Sequence, residues 1–410
     1  MLSKYDIAII GSGIVGIATA YRLLLSKPDL KLVILEKEND VAMHQTGHNS
    51  GVIHSGLYYK PGSLKALNCI RGYKMLLEFC EQNQIKYDLC GKLVVATNKT
   101  EISQLAMLYE RGMQNGLDGI KKLNANEIKE IEPYCSGVEG IFVKQTGIIS
   151  YKIVSEKLRD KIVENGGEIK YNFKVNDIKI KNGNSEISSE NETVNAKLII
   201  NCAGLYSDKI AKLSNQKIDT KIIPFRGEYY KLTPQRQYLI KNLIYPVPDP
   251  NFPFLGVHFT RMIEGGVEAG PNAVFAFKRE GYKKTDIDFA DLIESLTWPG
   301  FVKVALKYWK TGLGEYYRSF SKNAFTSALQ KLVPEIKAED LIAGGSGVRA
   351  QACDRTGGLL DDFKIIESEG IIDVLNAPSP AATSSLSIGQ TIAELALKSI
   401  NSNFVLERST

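Results

Sequence analysis

The chain has 410 residues, and its composition already excludes several classes of protein. Hydrophobic residues make up 44% and charged residues 24%, which is the balance of a globular protein and not of a disordered or repetitive one. The net charge of +5 is small for this length and no block of like charges occurs, so nucleic-acid binding has no support. At roughly 100–200 residues per domain, we expect two or three folding units.

The six cysteines are scattered, and none forms a CxxC pair, so neither a zinc ribbon nor a thioredoxin-like motif is expected. Unpaired cysteines in a large chain are typical of a reducing compartment. We therefore predict a cytoplasmic protein in which all six thiols are buried. They are Cys69, Cys80, Cys90, Cys135, Cys202 and Cys353.

One apolar segment, from Ile7 to Tyr21, has a composition close to that of a signal peptide or membrane span. It contains three glycines at fixed spacing and is shorter than the roughly 20 apolar residues that a span requires. We interpret it as a buried strand and helix, and we expect no export signal.

The first motif is a glycine turn, GSGIVG at 11–16, between an apolar β-branched run and a helical run. Gly11 permits a tight turn, Gly13 lets the backbone approach a pyrophosphate, and Gly16 allows close packing of helix on strand. The start of the helix offers free N–H groups to phosphate. A second strand ends at Glu36, which is placed to accept a ribose hydroxyl proton. This combination predicts a dinucleotide site but does not choose between NAD and FAD.

A histidine-rich loop follows this motif. His44, His48 and His54 are three of the four histidines of the chain and lie within eleven residues. Clustering of a scarce residue beside a nucleotide site favours a functional loop over a merely solvated one. A zinc site fits poorly because no cysteine or carboxylate accompanies the cluster, so no metal is predicted.

The strand at 198–204 ends in small residues, and small side chains let a strand end approach a nucleotide closely. A plain strand-to-turn interpretation is the alternative. Other helices are expected at 73–85, 101–130 and 155–164. Other strands are expected at 91–97, 140–143, 168–173 and 175–180.

The second half of the chain changes in character. From 224 to 277, strand-like runs alternate with prolines and glycines, which predicts an antiparallel sheet, and 283–335 favours helices. One helical face there is apolar, with lysines elsewhere, and it either packs on its own domain or rests on a membrane as a basic amphipathic helix. The residues of this face are Phe301, Val302, Ala305, Leu306 and Trp309.

The C-terminal part returns to nucleotide-binding patterns. We expect a strand entering a glycine turn at 341–349, a short strand at 374–376 and a helix at 386–399. The N-terminal dipole of that helix can stabilise negative charge on a bound ring.

Four stretches carry a resemblance to a known family: HQTGHNSGVIH at 44–54, PFRGEYY at 224–230, YPVPDPNFPFLGVHFT at 245–260 and GGSGVRAQ at 344–351. They are similar to the glycine-oxidase/D-amino-acid-oxidase superfamily of FAD enzymes and, within it, to the L-2-hydroxyglutarate dehydrogenase/oxidase family. The resemblance covers nearly the whole chain.

The resemblance implies an α/β fold, with an FAD-binding Rossmann-like domain and a second α+β substrate domain built on an antiparallel sheet. The expected FAD-binding domain is discontinuous, at 1–85, 150–220 and 335–410, and 86–149 and 221–334 form the substrate domain. Contacts to FAD are expected from Gly11, Gly13, Ile14, Val15, Gly16, Glu36, Lys37, Gln45, Thr46, Asn49, Ser50, Gly51, Val175, Ala203, Gly204, Gly347, Arg349, Pro380, Ala381, Ala382 and Thr383.

The reaction implied by the resemblance is oxidation of L-2-hydroxyglutarate to 2-oxoglutarate, with hydride transfer to flavin N5. Arg349 is the expected substrate-carboxylate ligand, because a guanidinium binds a carboxylate through two parallel bonds; a structural ion pair is the alternative. The base that takes the hydroxyl proton is expected to be His258 or His54. The expected wall residues are Tyr58, Tyr245 and Thr260, with Arg226 for the second carboxylate.

No second GxGxxG is present to bind NAD as acceptor, so electrons are expected to leave to quinone or oxygen, with peripheral contact at the inner face of the plasma membrane. One alternative is another FAD enzyme of the superfamily, acting on a secondary amine, an amino acid or glycerol 3-phosphate. Another is a flavoprotein without catalytic activity.

Overall fold

The computed structural model describes residues 4–181, 183–250 and 254–407. The strands are β1 (Lys4–Ile10), β2 (Leu32–Leu35), β3 (Val52–Ile53), β4 (Tyr87–Asp88), β5 (Lys92–Ala96), β6 (Lys121–Asn124), β7 (Glu139–Val143), β8 (Gly147–Ile149), β9 (Glu168–Lys170), β10 (Asp177–Lys181), β11 (Asn184–Ser188), β12 (Thr193–Asn201), β13 (Thr220–Leu232), β14 (Leu243–Pro246), β15 (His258–Arg261), β16 (Val267–Gly270), β17 (Val274–Phe275), β18 (Leu341–Asp354), β19 (Lys364–Ser368) and β20 (Ile371–Asn376). The α-helices are α1 (Ile14–Ser26), α2 (Leu64–Gln82), α3 (Ile102–Gln114), α4 (Ala125–Ile131), α5 (Tyr151–Glu164), α6 (Ser207–Leu213), α7 (Phe289–Leu296), α8 (Pro299–Phe320), α9 (Lys322–Leu329) and α10 (Ser385–Glu407).

The first large sheet has parallel strands in the order β20-β12-β1-β2-β9, and antiparallel strands β10, β11 and β19 extend it. All four residues of β2 are buried, as expected of a parallel strand covered on both faces. Helices α1, α2, α5 and α10 bury their apolar sides against one face of this sheet. The prediction of a Rossmann-like half is confirmed.

The second large sheet has nine strands, in the order β17-β13-β16-β15-β14-β5-β7-β6, with β18 paired to β13. Its strand pairs are antiparallel except for β14 with β5. Helices α4 and α9 pack on one face through Ile128, Phe325 and Leu329. The opposite face is free of these helices and carries the polar side chains described below. A third sheet is small and has the strand order β3-β8-β4.

The strand predicted at 341–349 differs from the expectation. It does not end in a glycine turn but continues as β18 from Leu341 to Asp354, paired with β13 along its length. Its glycines allow close approach instead of turning the chain: a Cβ at Gly347 would lie 2.2 Å from the backbone oxygen of His48. Pairing therefore places 341–354 in the second sheet, whereas 335–410 was expected in the FAD-binding domain. The domain boundaries themselves stay a prediction.

Helix α8 bears on the two interpretations of its apolar face. Phe301 and Val304 are buried, but Val302, Leu306 and Trp309 of the expected packing face are exposed, Leu306 by 71%. The apolar face is therefore not covered by its own domain. Across the described residues, no helix combines the length and apolarity that crossing a membrane requires. All six cysteines are free thiols, and five are buried as predicted, while Cys90 is half-buried.

Candidate functional site

A cavity of about 600 Å³ opens at the carboxyl ends of β1, β2 and β12. In open α/β sheets, ligands bind at this edge of the parallel strands. Nine of the residues expected to bind cofactor line it. They are Gly11, Gly13, Glu36, Lys37, Gln45, Thr46, Val175, Ala203 and Gly204.

The glycine turn lines this cavity, and its three positions differ in why they need glycine. Gly11 has φ +100°, a backbone conformation that favours glycine, and a Cβ at Gly16 would lie 2.1 Å from the Gly11 oxygen. Gly13 is different, because a Cβ there would meet only Thr46 Oγ1, at an ordinary 3.5 Å. Packing within the protein therefore does not demand glycine at 13, whereas close approach of a phosphate does.

The start of α1 is open for an anion. Gly13 is its N-cap and supplies no capping side chain, while the Ile14 N–H donates to Thr46 Oγ1 at 3.0 Å. Val15 and Gly16 continue the first turn, where helix N–H groups and the helix dipole favour negative charge.

Glu36 is held rigidly beside the cavity. Its Oε2 accepts hydrogen bonds from the N–H and hydroxyl of Ser12 at 2.7 and 2.6 Å, and its Oε1 accepts from the Glu38 N–H at 2.9 Å. The carboxylate is an acceptor at the end of β2, the position that suits a ribose hydroxyl.

A cluster of charged groups stands next to Glu36. Glu38, His44 and Glu280 lie close enough together to hold a metal ion, so the sequence argument that no carboxylate accompanies the histidines is wrong for His44. The Lys37 ammonium already takes the position of a cation, at 2.7 Å from Glu38, 2.5 Å from Glu280 and 3.0 Å from His44 Nε2. Burial opposes this charge, but the bonds to Glu280 and Glu38 outweigh it and raise the pKa of Lys37.

The histidine-rich loop links the cavity to the second sheet. Asn49 Nδ2 donates to the Thr46 oxygen at 2.5 Å, and Asn49 Oδ1 accepts from the Gly51 N–H at 2.8 Å, with Ser50 half-buried between them. Gln45 Oε1 accepts from the Ala350 N–H at 3.0 Å. Gln45 therefore connects the cofactor loop to the residue that follows Arg349.

The segment before α10 meets the His54 segment. The His54 N–H donates to Thr383 Oγ1 at 3.1 Å, and Thr383 also bonds the Tyr151 hydroxyl at 2.7 Å. Pro380, Ala381 and Ala382 precede this contact. The hydroxyls of Ser384 and Ser385, at the start of α10, are buried and have no hydrogen-bond partner among the described residues. The two hydroxyls at this helix start can therefore form hydrogen bonds with a bound group.

Strand alternation gathers a second set of residues on the face of the nine-stranded sheet opposite α4 and α9. Tyr245 on β14 and His258 on β15 stack with ring centroids 3.8 Å apart. Thr260 lies two residues after His258 on β15, so its side chain is on the same face of the sheet, and it hydrogen-bonds Tyr245. The intervening Ile244 and Phe259 belong to the core under α9.

His258 is held in one neutral form. Its Nδ1–H donates to the Gly256 oxygen at 2.8 Å, which leaves Nε2 as an acceptor. Burial lowers the pKa of His258 to about 3, and the charges of Lys92 and Arg349 contribute in the same direction. This is the protonation state that a proton acceptor needs.

His54 is neutral for the same reason. Burial first, and then the Lys92 and His258 charges, hold the pKa of His54 well below its usual value. Its Nε2 lies 3.4 Å from Ser379 Oγ. Tyr58, four residues on, has a buried hydroxyl with no hydrogen-bond partner in the described part of the chain.

The guanidinium of Arg349 has no acidic ion-pair partner among the described residues. Its Nη1 donates to the Asn272 oxygen at 3.3 Å, and its guanidinium lies 5.6 Å from the centroid of the Phe254 ring. No carboxylate forms an ion pair with it within 4–181, 183–250 and 254–407. The alternative of a structural ion pair is therefore not supported. Asn251–Pro253 of the neighbouring motif lie outside the described residues.

The structure corrects the prediction for Arg226. Its neighbours Phe225 and Gly227 share the face of Arg349, so Arg226 points to the opposite face of β13. There it is 4% exposed and forms an ion pair with Glu228 at 2.9 Å. Arg226 therefore has an acid partner within the fold and points away from the face of Arg349, which argues against its predicted contact with the substrate.

Sequence reasoning missed one residue of this face. Lys92 is 2% exposed, and its ammonium lies 4.2 Å from the Tyr245 ring centroid and 5.0 Å from that of Tyr58. The sequence contained one indication, a lysine as the first residue of an otherwise apolar strand. A lysine at that position more often lies in solvent at the end of the strand.

Comparison with known proteins agrees with this geometry. A family model described as FAD dependent oxidoreductase matches residues 6–395. The chain is 61% identical to L-2-hydroxyglutarate dehydrogenase of Indibacter alkaliphilus, with 96% of this chain and 99% of that protein covered. It is 45% identical to mitochondrial L-2-hydroxyglutarate dehydrogenase of Homo sapiens, with 96% and 88% covered. Among solved structures, FAD-bound L-alpha-glycerophosphate oxidase from Mycoplasma pneumoniae has a TM-score of 0.78 at 25% identity, with 98% and 95% covered.

The fold, the cavity and the family match together define an FAD-dependent oxidoreductase. Within that class, the chain belongs to the L-2-hydroxyglutarate dehydrogenase family, as its identity to those relatives over nearly their full length shows. The cofactor is therefore FAD. The room above Gly13, the acceptor at Glu36 and the unpartnered hydroxyls at the start of α10 all fit it.

Proposed function

We propose that the protein oxidises L-2-hydroxyglutarate to 2-oxoglutarate. The observation that carries this proposal is an unpaired guanidinium, Arg349, on the same face of one sheet as a neutral imidazole, His258. These are the two groups that a 2-hydroxy acid needs, one for its carboxylate and one for its hydroxyl. The substrate follows from the relatives, which are L-2-hydroxyglutarate dehydrogenases.

In this proposal FAD is held from three directions. The glycine turn and the start of α1 would bind the diphosphate, Glu36 would accept a hydrogen bond from a ribose hydroxyl, and the start of α10 would offer its hydroxyls to the ring. Bound there, FAD would supply the hydride acceptor for the α-carbon of the substrate. Val175 lines the same cavity, and the main chain there would contact the adenine end of the cofactor.

Arg349 binds the carboxylate next to the reacting carbon and fixes the orientation of the substrate. Two parallel charge-assisted bonds position a carboxylate more tightly than one. Tyr58, Tyr245 and Thr260 form the wall of the site and exclude water from it. A buried, oriented substrate needs less reorganisation to react.

The hydroxyl proton goes to a neutral histidine. His258 has its proton fixed on Nδ1 by Gly256, so its Nε2 is free to accept, and this favours it over His54. Bound substrate carboxylates offset the neighbouring positive charges and raise the basicity of the imidazole. His54 lies against the segment that leads into α10 and is the second candidate.

The test is turnover with product identification. Purified protein with FAD and an artificial electron acceptor is expected to convert the L enantiomer to 2-oxoglutarate, with little activity on D-2-hydroxyglutarate. Turnover of glycerol 3-phosphate, sarcosine or an amino acid in place of L-2-hydroxyglutarate would contradict the proposal. A flavin-containing protein that oxidises none of these compounds would point to a role without catalysis.

We further propose a cytoplasmic protein that touches the inner face of the plasma membrane and passes electrons to quinone, with oxygen as the alternative acceptor. Helices α7 and α8 expose a set of large apolar side chains that is unusual for a free surface. The set is Phe289, Ile293, Leu296, Leu306, Trp309, Leu313, Tyr317 and Phe320. Exposed Lys303, Lys307 and Lys310 on α8 supply charge that suits anionic lipid.

Co-sedimentation with anionic liposomes tests this surface. Leu306→Asp with Phe289→Asp is expected to release the protein into the supernatant, whereas the control Leu67→Ser, which changes an exposed leucine on α2, is expected to leave binding unchanged. Equal sedimentation of all variants would contradict a lipid contact at α7 and α8. Reoxidation of reduced protein by a short-chain quinone, measured against oxygen, distinguishes the two acceptors.

A further inference from the structure

Among the residues that the structure describes, the buried lysines and arginines are paired with acids, with one exception. Apart from histidine, four cationic side chains are classed as buried in the described part of the chain, and three of them form ion pairs. The pairs are Arg279–Asp208 at 2.5 Å, Arg226–Glu228 at 2.9 Å and Lys221–Glu294 at 3.0 Å. The fourth is Lys92, and no acid among the described residues forms an ion pair with it.

An unpaired buried ammonium is costly to the fold, since neither water nor a counter-charge compensates its desolvation. The rings of Tyr58 and Tyr245 offset only part of that cost through their faces. A cost of this kind is typical of functional sites. Lys92 therefore needs a reason beyond stability.

The position of Lys92 supplies that reason. Strand alternation directs Lys92 and Val94 to the face of the sheet that carries His258, while Leu93 and Val95 point to the core under α9. The charges of Lys92 and Arg349 both act on His258. Two unpaired cations thus border one neutral imidazole.

We propose that Lys92 binds the carboxylate of the substrate that is remote from the reacting carbon. Arg349 holds the carboxylate beside the hydroxyl, and Lys92 holds the other end, which Arg226 cannot reach. This pair of cations makes the site specific for a dicarboxylate. The unpartnered hydroxyl of Tyr58 next to Lys92 is a second donor for that carboxylate.

This inference rests on the proposed function, and two ligands separate it from that function. Glutarate carries both carboxylates, and pentanoate has the same carbon chain with one. Their dissociation constants are measured from the absorbance change of bound flavin at a pH of about 6, where a lysine of pKa about 7 is charged. Wild-type protein is expected to prefer glutarate by about 10- to 150-fold, the value of one charge-assisted hydrogen bond.

Lys92→Met is expected to abolish that preference by weakening glutarate alone, and Lys92→Arg is expected to restore part of it. In turnover, Lys92→Met is expected to raise KM for L-2-hydroxyglutarate more than it lowers kcat. The matched control is Lys221→Met, which removes a buried but paired lysine of the same sheet and is expected to keep the preference.

The outcomes are distinguishable. If wild-type protein does not oxidise L-2-hydroxyglutarate, the proposed function fails. If it does, and Lys92→Met still prefers glutarate as wild type does, the assignment of Lys92 is overturned. Failure of both Lys92→Met and Lys92→Gln to fold or to hold FAD would make Lys92 a structural residue and would equally overturn it.

Discussion

The guanidinium of Arg349 lies directly across the backbone of Gly227. A Cβ at Gly227 would stand 3.1 Å from both terminal nitrogens of Arg349, on neighbouring strands in which Gly227 pairs with Gly347. The same Cβ would lie 2.8 Å from the Cβ of Pro271, so a side chain at 227 would press on both Pro271 and the guanidinium. Glycine at 227 thus leaves the space in which the guanidinium of Arg349 lies.

Gly227→Ala is therefore expected to raise KM for L-2-hydroxyglutarate by about tenfold or more, because displacement of Arg349 weakens charge-assisted bonds of about 1.5–3 kcal/mol. The flavin content should stay that of wild type. Arg349→Lys is expected to raise KM similarly, because an ammonium cannot make two parallel bonds. Steady-state kinetics measure both, and an unchanged KM in either variant would remove Arg349 from the site.

Gly13→Val is expected to yield protein without bound FAD, since its side chain would occupy the space of the diphosphate. The packing around Gly13 leaves room for a Cβ, so the apoprotein should fold. Circular dichroism and visible absorbance of the purified variant provide the two measurements. Full FAD occupancy would show that the diphosphate does not lie at this turn.

Arg226→Met is expected to destabilise the protein without changing KM. The side chain is buried in an ion pair with Glu228, and loss of one partner from such a pair costs about 3–5 kcal/mol. Urea unfolding measures the loss, and kinetics at a temperature where the variant is folded measure KM. A large rise in KM with normal stability would return Arg226 to the substrate site.

The pH dependence of kcat/KM is expected to report Lys92. Burial lowers the pKa of Lys92 to about 7, so the ammonium that binds the remote carboxylate is lost as the pH rises above that value. kcat/KM for L-2-hydroxyglutarate should fall above pH of about 7, and Lys92→Met should flatten this limb. The groups that face Lys92 have pKa values displaced away from this window: His54, His258, Tyr58, Tyr245, Cys69 and Cys90. If kcat/KM of Lys92→Met still falls above this pH as in wild type, Lys92 is not the group that titrates.

The nucleotide half of the site could be predicted because its signal is local. The turn from Gly11 to Gly16 and the acid at Glu36 each follow directly on a strand, and the loop from Gln45 comes between β2 and β3. The carboxyl ends of parallel strands meet at one edge. The substrate half could not be predicted in the same way. Lys92, His258 and Arg349 come from strands that are remote in sequence, and only the order of the nine-stranded sheet brings them to one face.

Arg226 and Lys92 show where sequence reasoning reaches its limit. The motif around Arg226 indicated a functional strand. A shift of one position along a strand moves a side chain to the other face of the sheet, and the motif does not determine the register of β13 against β18. Lys92 begins β5, and nothing local distinguishes a buried lysine there from a solvated one. Burial and the absence of an acid partner are properties of the folded chain.

The most direct test of the central claim is anaerobic addition of L-2-hydroxyglutarate to the purified flavoprotein while the visible spectrum is followed. The flavin absorbance is expected to bleach on addition of the L enantiomer, with 2-oxoglutarate formed in equal amount, and not to bleach with glycerol 3-phosphate or sarcosine. An oxidised flavin spectrum that L-2-hydroxyglutarate leaves unchanged would contradict it.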